Sequence, residues 1–240
     1  MKKYLDIVQE VHKSPYKLTI VSSGGGTNAI SALLEVPGAS NTILESHIPY
    51  SKESMNSFLN KKPDHYCSLD TCLNMAANAF KKSKQIDTTS KTKHLLGISI
   101  TANLATTYEK RGDHKFFIVV QAFDYTKYLE CYLDKGKRTR EEEEELITAC
   151  VISLLADSCG FEFSIPEIDE DISINKVTTE KSWVKLFNNK VGFISNNKSN
   201  PELIFPGSFN PLHEGHIKMK ELAEKKPGMH TTLLLNNFTH

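Results

Sequence analysis

Lys17-Leu-Thr-Ile-Val-Ser-Ser-Gly-Gly-Gly-Thr-Asn-Ala-Ile-Ser-Ala-Leu-Leu34 decides the fold class. Its first five residues are rich in β-formers and predict a short strand. The chain then runs through Ser22, Ser23 and three glycines, and Ala29, Ile30, Leu33 and Leu34 recur at helical spacing. Strand, glycine loop and helix in succession form a unit of α/β architecture.

The pattern continues in both directions from this unit. Upstream, Tyr4, Leu5, Ile7, Val8 and Val11 predict an amphipathic helix that Pro15 ends. Downstream, Pro37-Gly38 marks a turn and residues 42–49 fit a second strand. Residues 72–82 carry Leu73, Ala76, Ala77 and Phe80 on one helical face. Residues 95–100 read as a buried strand, and 115–123 with 128–133 as a hairpin. Thr139 and Glu142 have the spacing of a capping box. The five acids at 141–145 suit the positive end of a helix and are expected to form a solvated start. Leu146, Ile147, Cys150, Val151, Leu154 and Leu155 supply that helix with a buried stripe, and Gly160 ends it.

The character changes after residue 160. Residues 166–171 are acidic and 188–200 are rich in Asn, Ser and Lys. This stretch is expected to be a linker with short strands near 183–187 and 191–194. An α/β pattern restarts with a strand at 203–205, a glycine loop, a helix from Glu214 to about Lys225 and a strand at 231–235. The expected division is 1–160, a linker over 161–202, and 203–240.

The totals bound the function classes. A chain of 240 residues makes one large domain or two smaller ones. A formal net charge of +0 gives no electrostatic reason to expect nucleic acid or an anionic membrane as a partner. No stretch approaches the ~20 apolar residues of a membrane span, and the start of the chain does not read as a signal peptide. A cytoplasmic location is therefore expected. Cys67, Cys72, Cys131, Cys150 and Cys159 include no C-x-x-C pair, so reduced, core-filling thiols are expected and no protein-held metal.

Two stretches carry chemistry. Pro206-Gly-Ser-Phe-Asn-Pro-Leu-His-Glu-Gly-His216 follows a strand and opens a helix. Gly207 lets a nucleotide approach the backbone, and Gly215 keeps a helix start open, where free N–H groups attract phosphate. His213 and His216 are three apart, so they share a face and can both donate to phosphate oxygens. This segment resembles the start of a cytidylyltransferase-like domain of the nucleotidyltransferase superfamily, whose hallmark is G-x-F-x-P-x-H-x-G-H. The resemblance implies binding of ATP or CTP with Mg2+ through Gly207, Ser208, Phe209, Asn210 and Gly215, with His213 and His216 as catalytic groups. It implies a Rossmann-like domain, of which residues 203–240 cover only the first part. The superfamily's second, Ser/Thr-rich motif does not occur before His240, so this chain alone is expected not to transfer nucleotides.

The upstream part resembles the CinA C-terminal family, whose enzymatic members hydrolyse the amide of nicotinamide mononucleotide. Ser22-Ser-Gly-Gly-Gly26 stands at that family's Glu-Ser-Cys-Thr-Gly-Gly loop, and Val36-Pro-Gly-Ala-Ser40 at the turn after its first helix. Ile48-Pro-Tyr-Ser51 stands at its Val-x-Tyr-Ser strand end, Gly97-Ile-Ser-Ile-Thr-Ala102 at its Gly-Ile-Ala-Gly-Pro loop, and Gly136-Lys-Arg138 at its Gly-Asp-Arg. The resemblance implies a three-layer α/β domain with a mixed sheet. It implies Ser23 as nucleophile and a pocket formed by Gly24, Gly25, Gly26, Tyr50, Ser51, Thr101 and Arg138. It also implies nicotinamide mononucleotide as a ligand, and a homo-oligomer. The family's lysine five residues after the tyrosine falls on Met55, which cannot accept a proton; Lys52 would share its face if the segment were helical. The expectation is a nucleotidyltransferase-like protein of nucleotide metabolism, pyridine nucleotides included. The alternatives are an amidohydrolase or a non-catalytic nucleotide-binding module.

Overall fold

Why the chain forms a sheet core is visible in the alternation of its strands. The computed structural model describes residues 4–108, 111–162, 164–188, 190–191, 203–207, 214–225 and 231–235. Strand β1 (Lys17–Ser23) pairs in parallel with β2 (Ile43–His47) and β3 (Leu95–Asn103). Strands β4 (His114–Gln121), β5 (Tyr125–Leu133) and β6 (Ile172–Thr178) then add antiparallel, giving the order β2-β1-β3-β4-β5-β6 in one mixed sheet.

Both faces of the sheet are covered. Leu18 and Ile20 of β1, Leu96, Ile98 and Ile100 of β3, and Phe116 and Ile118 of β4 join one apolar cluster. That cluster takes in helices α1 (Leu5–Lys13), α2 (Thr27–Leu34) and α5 (Arg140–Ser158). Val21, Phe117 and Val119 point the other way, against α3 (Lys52–Leu59) and α4 (Leu69–Ile86). The three-layer α/β arrangement follows from this period of two. Gly97 is the point of closest approach: a Cβ there would stand 2.2 Å from the Phe80 backbone nitrogen of α4. Burial in these layers pushes the thiols of Cys72, Cys131 and Cys150 up to about 12, and that of Cys159 to about 11, so all four stay protonated.

Three sequence expectations change. The first compact unit spans Met1–Glu180 and does not end at residue 160, because β6 lies in the stretch expected to be linker. Only polar and single apolar residues alternate there, so the strand has a weak signature: it is an edge with Ile174 and Val177 exposed. Trp183 to Phe187, expected as strand, belong to helix α6 (Lys181–Phe187); a short apolar run fits either period. Helix α5 is buried all round from Leu146 to Ala156, beyond the expected stripe, since it packs on β4 and on α1 and α2 at once. The strand expected near 191–194 falls mostly outside the described residues.

The second unit, Lys181–His240, is a compact body of its own. Its strands β7 (Leu203–Gly207) and β8 (Thr231–Leu235) pair in parallel, with helix α7 (Glu214–Glu224) between them in sequence. That is a β-α-β unit. Among the described residues no helix is long and apolar enough to cross a membrane.

Candidate functional site

Ser23 closes β1, and Thr101 and Asn103 close β3, its parallel neighbour. The crevice outside the carboxyl ends of parallel strands is where open α/β sheets hold ligands. A cavity of about 380 Å³ opens there. Ser23, Gly24, Tyr50, Ser51, Thr101 and the helix α3 residues Lys52 and Met55 line it, with Tyr66, Cys67 and Arg140. Its lining contains two cations and no carboxylate among the described residues, which favours an anionic ligand.

Each wall has a local cause. Ser51 caps α3 by accepting from the Ser54 N–H at 3.1 Å, which starts the helix at Lys52. Lys52 and Met55 are then one turn apart on a common face, and both reach the cavity. The buried Met55 thioether stands where the resemblance leads one to look for lysine, and the Lys52 ammonium is supplied by the preceding turn. Lys52 Nζ sits 5.9 Å from the Tyr66 ring centroid. The Thr101 hydroxyl donates to the Tyr66 carbonyl at 2.9 Å, fixing that ring's segment against β3. Tyr50 is 70% exposed, at the rim.

Ser23 is held without being activated. Its hydroxyl donates to the Pro49 carbonyl at 3.0 Å. A peptide carbonyl orients a hydroxyl but does not take its proton, and a serine nucleophile needs a base.

The glycine loop is organised differently from the expected pocket wall of Gly24, Gly25 and Gly26. The Gly26 N–H, at the start of α2, donates to Glu144 Oε2 at 2.7 Å, so a carboxylate of the protein itself fills that position. Gly24 has φ +80, and a Cβ there would lie 2.0 Å from the Ala102 carbonyl oxygen. Gly24 lines the cavity, whereas Gly25 and Gly26 pack inward against Leu104 and Ile100. The tight turn therefore owes its glycines first to packing.

The acid run at 141–145 departs in part from the expected solvated helix start: Glu141, Glu142 and Glu145 are exposed, Glu144 is half-buried and Glu143 is buried. Glu143 is fully buried; it accepts from the Ala105 N–H at 2.6 Å and contacts His114 Nδ1 at 2.9 Å. Glu144 holds Gly26, Glu145 accepts from the Tyr4 hydroxyl at 2.7 Å, and Glu142 completes the capping box on Thr139. A charge run reads as solvent-facing in sequence; the partners of the buried Glu143 come from β4 and the loop after β3, which no local pattern reveals.

Of the two arginines, Arg140 lines this crevice and Arg138, the one expected, does not. Arg138 forms a two-pronged ion pair with Glu170, whose second bond is 2.9 Å. The guanidinium holds the Glu170 carboxyl down at about 2. Arg140, which sequence reasoning passed over, donates to the Gly24 carbonyl at 3.0 Å and the Ala105 carbonyl at 3.3 Å. The available signal was its place at the first residue of α5, directly behind the Thr139 cap. Arg138 instead lines an adjoining cavity of about 640 Å³, which shares Thr106, Tyr108 and Arg140 with the first.

With the sheet and this crevice described, comparison of the structure with solved proteins is informative. A competence-damaged protein (CinA) superfamily protein from Klebsiella pneumoniae superposes with TM-score 0.52 at 12% identity, over 65% of this chain and 94% of its own. The six-stranded unit is CinA-like in fold. A competence damage-inducible protein A from Klebsiella pneumoniae subsp. pneumoniae gives TM-score 0.51 at 12% identity, over 63% of this chain and 94% of its own. No protein-family model matches the sequence, and no curated protein matches it. At this identity the likeness to the CinA-like fold concerns architecture.

In the second unit, Gly207 ends β7 and Gly215 and His216 lie in the first turn of α7. His216 is half-buried. Ser208, Phe209, Asn210 and His213 lie outside the described residues. Among the described residues no group of three or more His, Cys, Asp or Glu is placed to hold a metal ion.

Proposed function

We propose that the CinA-like unit is a binding module for a small phosphorylated nucleotide of the nicotinamide mononucleotide class, and that it does not hydrolyse its ligand. The observation that carries this reading is the cationic, acid-free crevice at the ends of β1 and β3, with Lys52 and Arg140 in its walls. Lys52 and Arg140 supply charge for a phosphate. Tyr50 and Tyr66 offer rings to a base, and the Ser23 and Thr101 hydroxyls offer polar contacts to a ribose. The non-hydrolytic part rests on Ser23, whose hydroxyl donates a hydrogen bond to the Pro49 carbonyl and faces no base there, and on a methionine at position 55.

A thermal-shift screen with nicotinamide mononucleotide, coupled to an ammonia-release assay, tests it. Stabilisation without ammonia is the expected result. Ammonia release abolished by Ser23→Ala would establish the amidohydrolase alternative, and no stabilisation at millimolar ligand would remove the binding claim.

A second reading concerns the other unit. The parallel β7–β8 pair with α7 between them supports a Rossmann-like start of a nucleotidyltransferase domain. On this reading the segment Gly207–His216 receives the phosphates of ATP or CTP, with His213 and His216 as donors and Mg2+ arriving with the nucleotide as substrate. Stabilisation by ATP or CTP that is lost in His216→Ala is the expected outcome.

A further inference from the structure

The adjoining cavity of about 640 Å³ has a chemistry of its own. Its lining includes His114, Lys135, Arg138 and Arg140, with no carboxylate among the described residues. Arg138 is neutralised by Glu170. Arg140 is not: its two hydrogen bonds go to the Gly24 and Ala105 carbonyls, both neutral. Its charge therefore stands where the two cavities meet.

His114 is the residue that makes this a built site. It begins β4 and is only 7% exposed, yet it forms part of the cavity wall. Its Nδ1 is fixed by the fully buried Glu143, whose other oxygen is pinned by the Ala105 N–H. A histidine oriented by a buried carboxylate through Nδ1 presents Nε2 in a set direction. Nε2 has no hydrogen-bond partner among the described residues. An ordinary core histidine has both ring nitrogens satisfied, as His12 does with Thr42 and the Leu33 carbonyl.

We infer that this cavity is a second ligand site, adjoining the crevice at Ser23 and sharing Arg140 with it, that takes a phosphate group, free or on a small monoester, through His114 Nε2 with Lys135 and Arg140. Arg140 also lines the first cavity, so His114 and Lys135, which line only this one, are what set the two sites apart. Glu143 acts here as a positioning residue, and the phosphate oxygens meet three donors on two different elements and a loop.

Titration of the full chain with inorganic phosphate, followed by the imidazole nitrogen signals of its histidines, tests the site. The expected result is that one buried imidazole, absent from the spectrum of His114→Gln, shifts on saturation. Affinity should fall roughly tenfold in His114→Gln, the scale of one charge-assisted hydrogen bond. Because His114 is buried, the exposed variants Lys135→Ala and Arg140→Ala provide tests that do not depend on its folding, and each should weaken phosphate several-fold. Methyl phosphate titrated in parallel separates the sources: tighter methyl phosphate assigns a monoester, tighter inorganic phosphate the free ion. The inference is overturned if no imidazole responds. It is equally overturned if affinity is unchanged in Lys135→Ala, or falls in Lys52→Ala but not in Lys135→Ala, which would put the phosphate in the first cavity.

Discussion

The chain builds strand, glycine loop and helix twice, and the two copies have different surroundings. In β1–α2 the helix buries Ala29, Ile30 and Leu33, and the strand lies inside a six-stranded sheet. In β7–α7 no described helix residue is buried, and Ile217, Met219 and Leu222 are 43%, 47% and 63% exposed. The local sequence logic is the same. What differs is the number of layers that cover it, because a two-stranded parallel pair with one helix has little surface on which to bury a face. In the first glycine loop, Glu144 holds the Gly26 N–H at the helix start, so glycine followed by a helix is not by itself evidence of a free anion site.

Substitutions in the two regions should therefore differ steeply in effect. The largest effect is expected at Gly97, where an added methyl meets the α4 backbone at 2.2 and 2.4 Å. Gly97→Ala should lose roughly 3 kcal/mol or more, by denaturant titration, because neither backbone can give way. A loss under about 1 kcal/mol would show that α4 packs more loosely than described.

Glu143→Ala comes next. It strands the Ala105 N–H and His114 Nδ1 in a buried place, at a cost of roughly 3 kcal/mol. Equal stability of this variant and the parent would mean that Glu143 is a solvated acid after all.

A third effect is a pH dependence. Arg138 holds Glu170 at about 2, and Lys17, with the Ser90 and Thr89 groups, holds the Asp87 carboxyl below the ordinary carboxylate range. Both groups bind protons less readily folded than unfolded. Their contribution is thus complete above the ordinary carboxylate pKa, and for Glu170 it is lost as pH falls toward about 2. Glu170→Gln should flatten the acid limb of the stability curve between roughly pH 5 and 2. An unchanged limb would contradict the pairing with Arg138.

The smallest effect is expected on α7. The Lys218–Glu214 pair spans 3.6 Å between side chains 71% and 88% exposed. Lys218→Ala should change stability by less than about 0.5 kcal/mol.

The same contrast explains what the sequence made legible. The strands and helices of the first unit showed through period and caps: Thr139 with Glu142, Gly160 at φ +87, and the hairpin of β4 and β5 are all as the local pattern dictates. The cavity residues Ser23, Gly24, Tyr50, Ser51 and Thr101 came from positional resemblance, and they do meet at one cavity. Arg140 and the His114–Glu143 pair did not show. Their meaning lies in contacts 29 to 116 residues apart, from His114 with Glu143 at 29 to Arg140 with Gly24 at 116, and sequence spacing is silent about these. Strand β6 was missed for a different reason: an edge strand with one weakly apolar face has no strong period to read.

The central claim is that the crevice at the ends of β1 and β3 binds a phosphorylated nucleotide. Calorimetric titration of the full chain with nicotinamide mononucleotide, repeated on the exposed variant Lys52→Ala, examines it most directly. The account predicts saturable one-to-one binding that weakens roughly tenfold in the variant, the scale of one lost charged contact to phosphate. Binding of equal strength in both proteins, or no heat of binding in either, would contradict it.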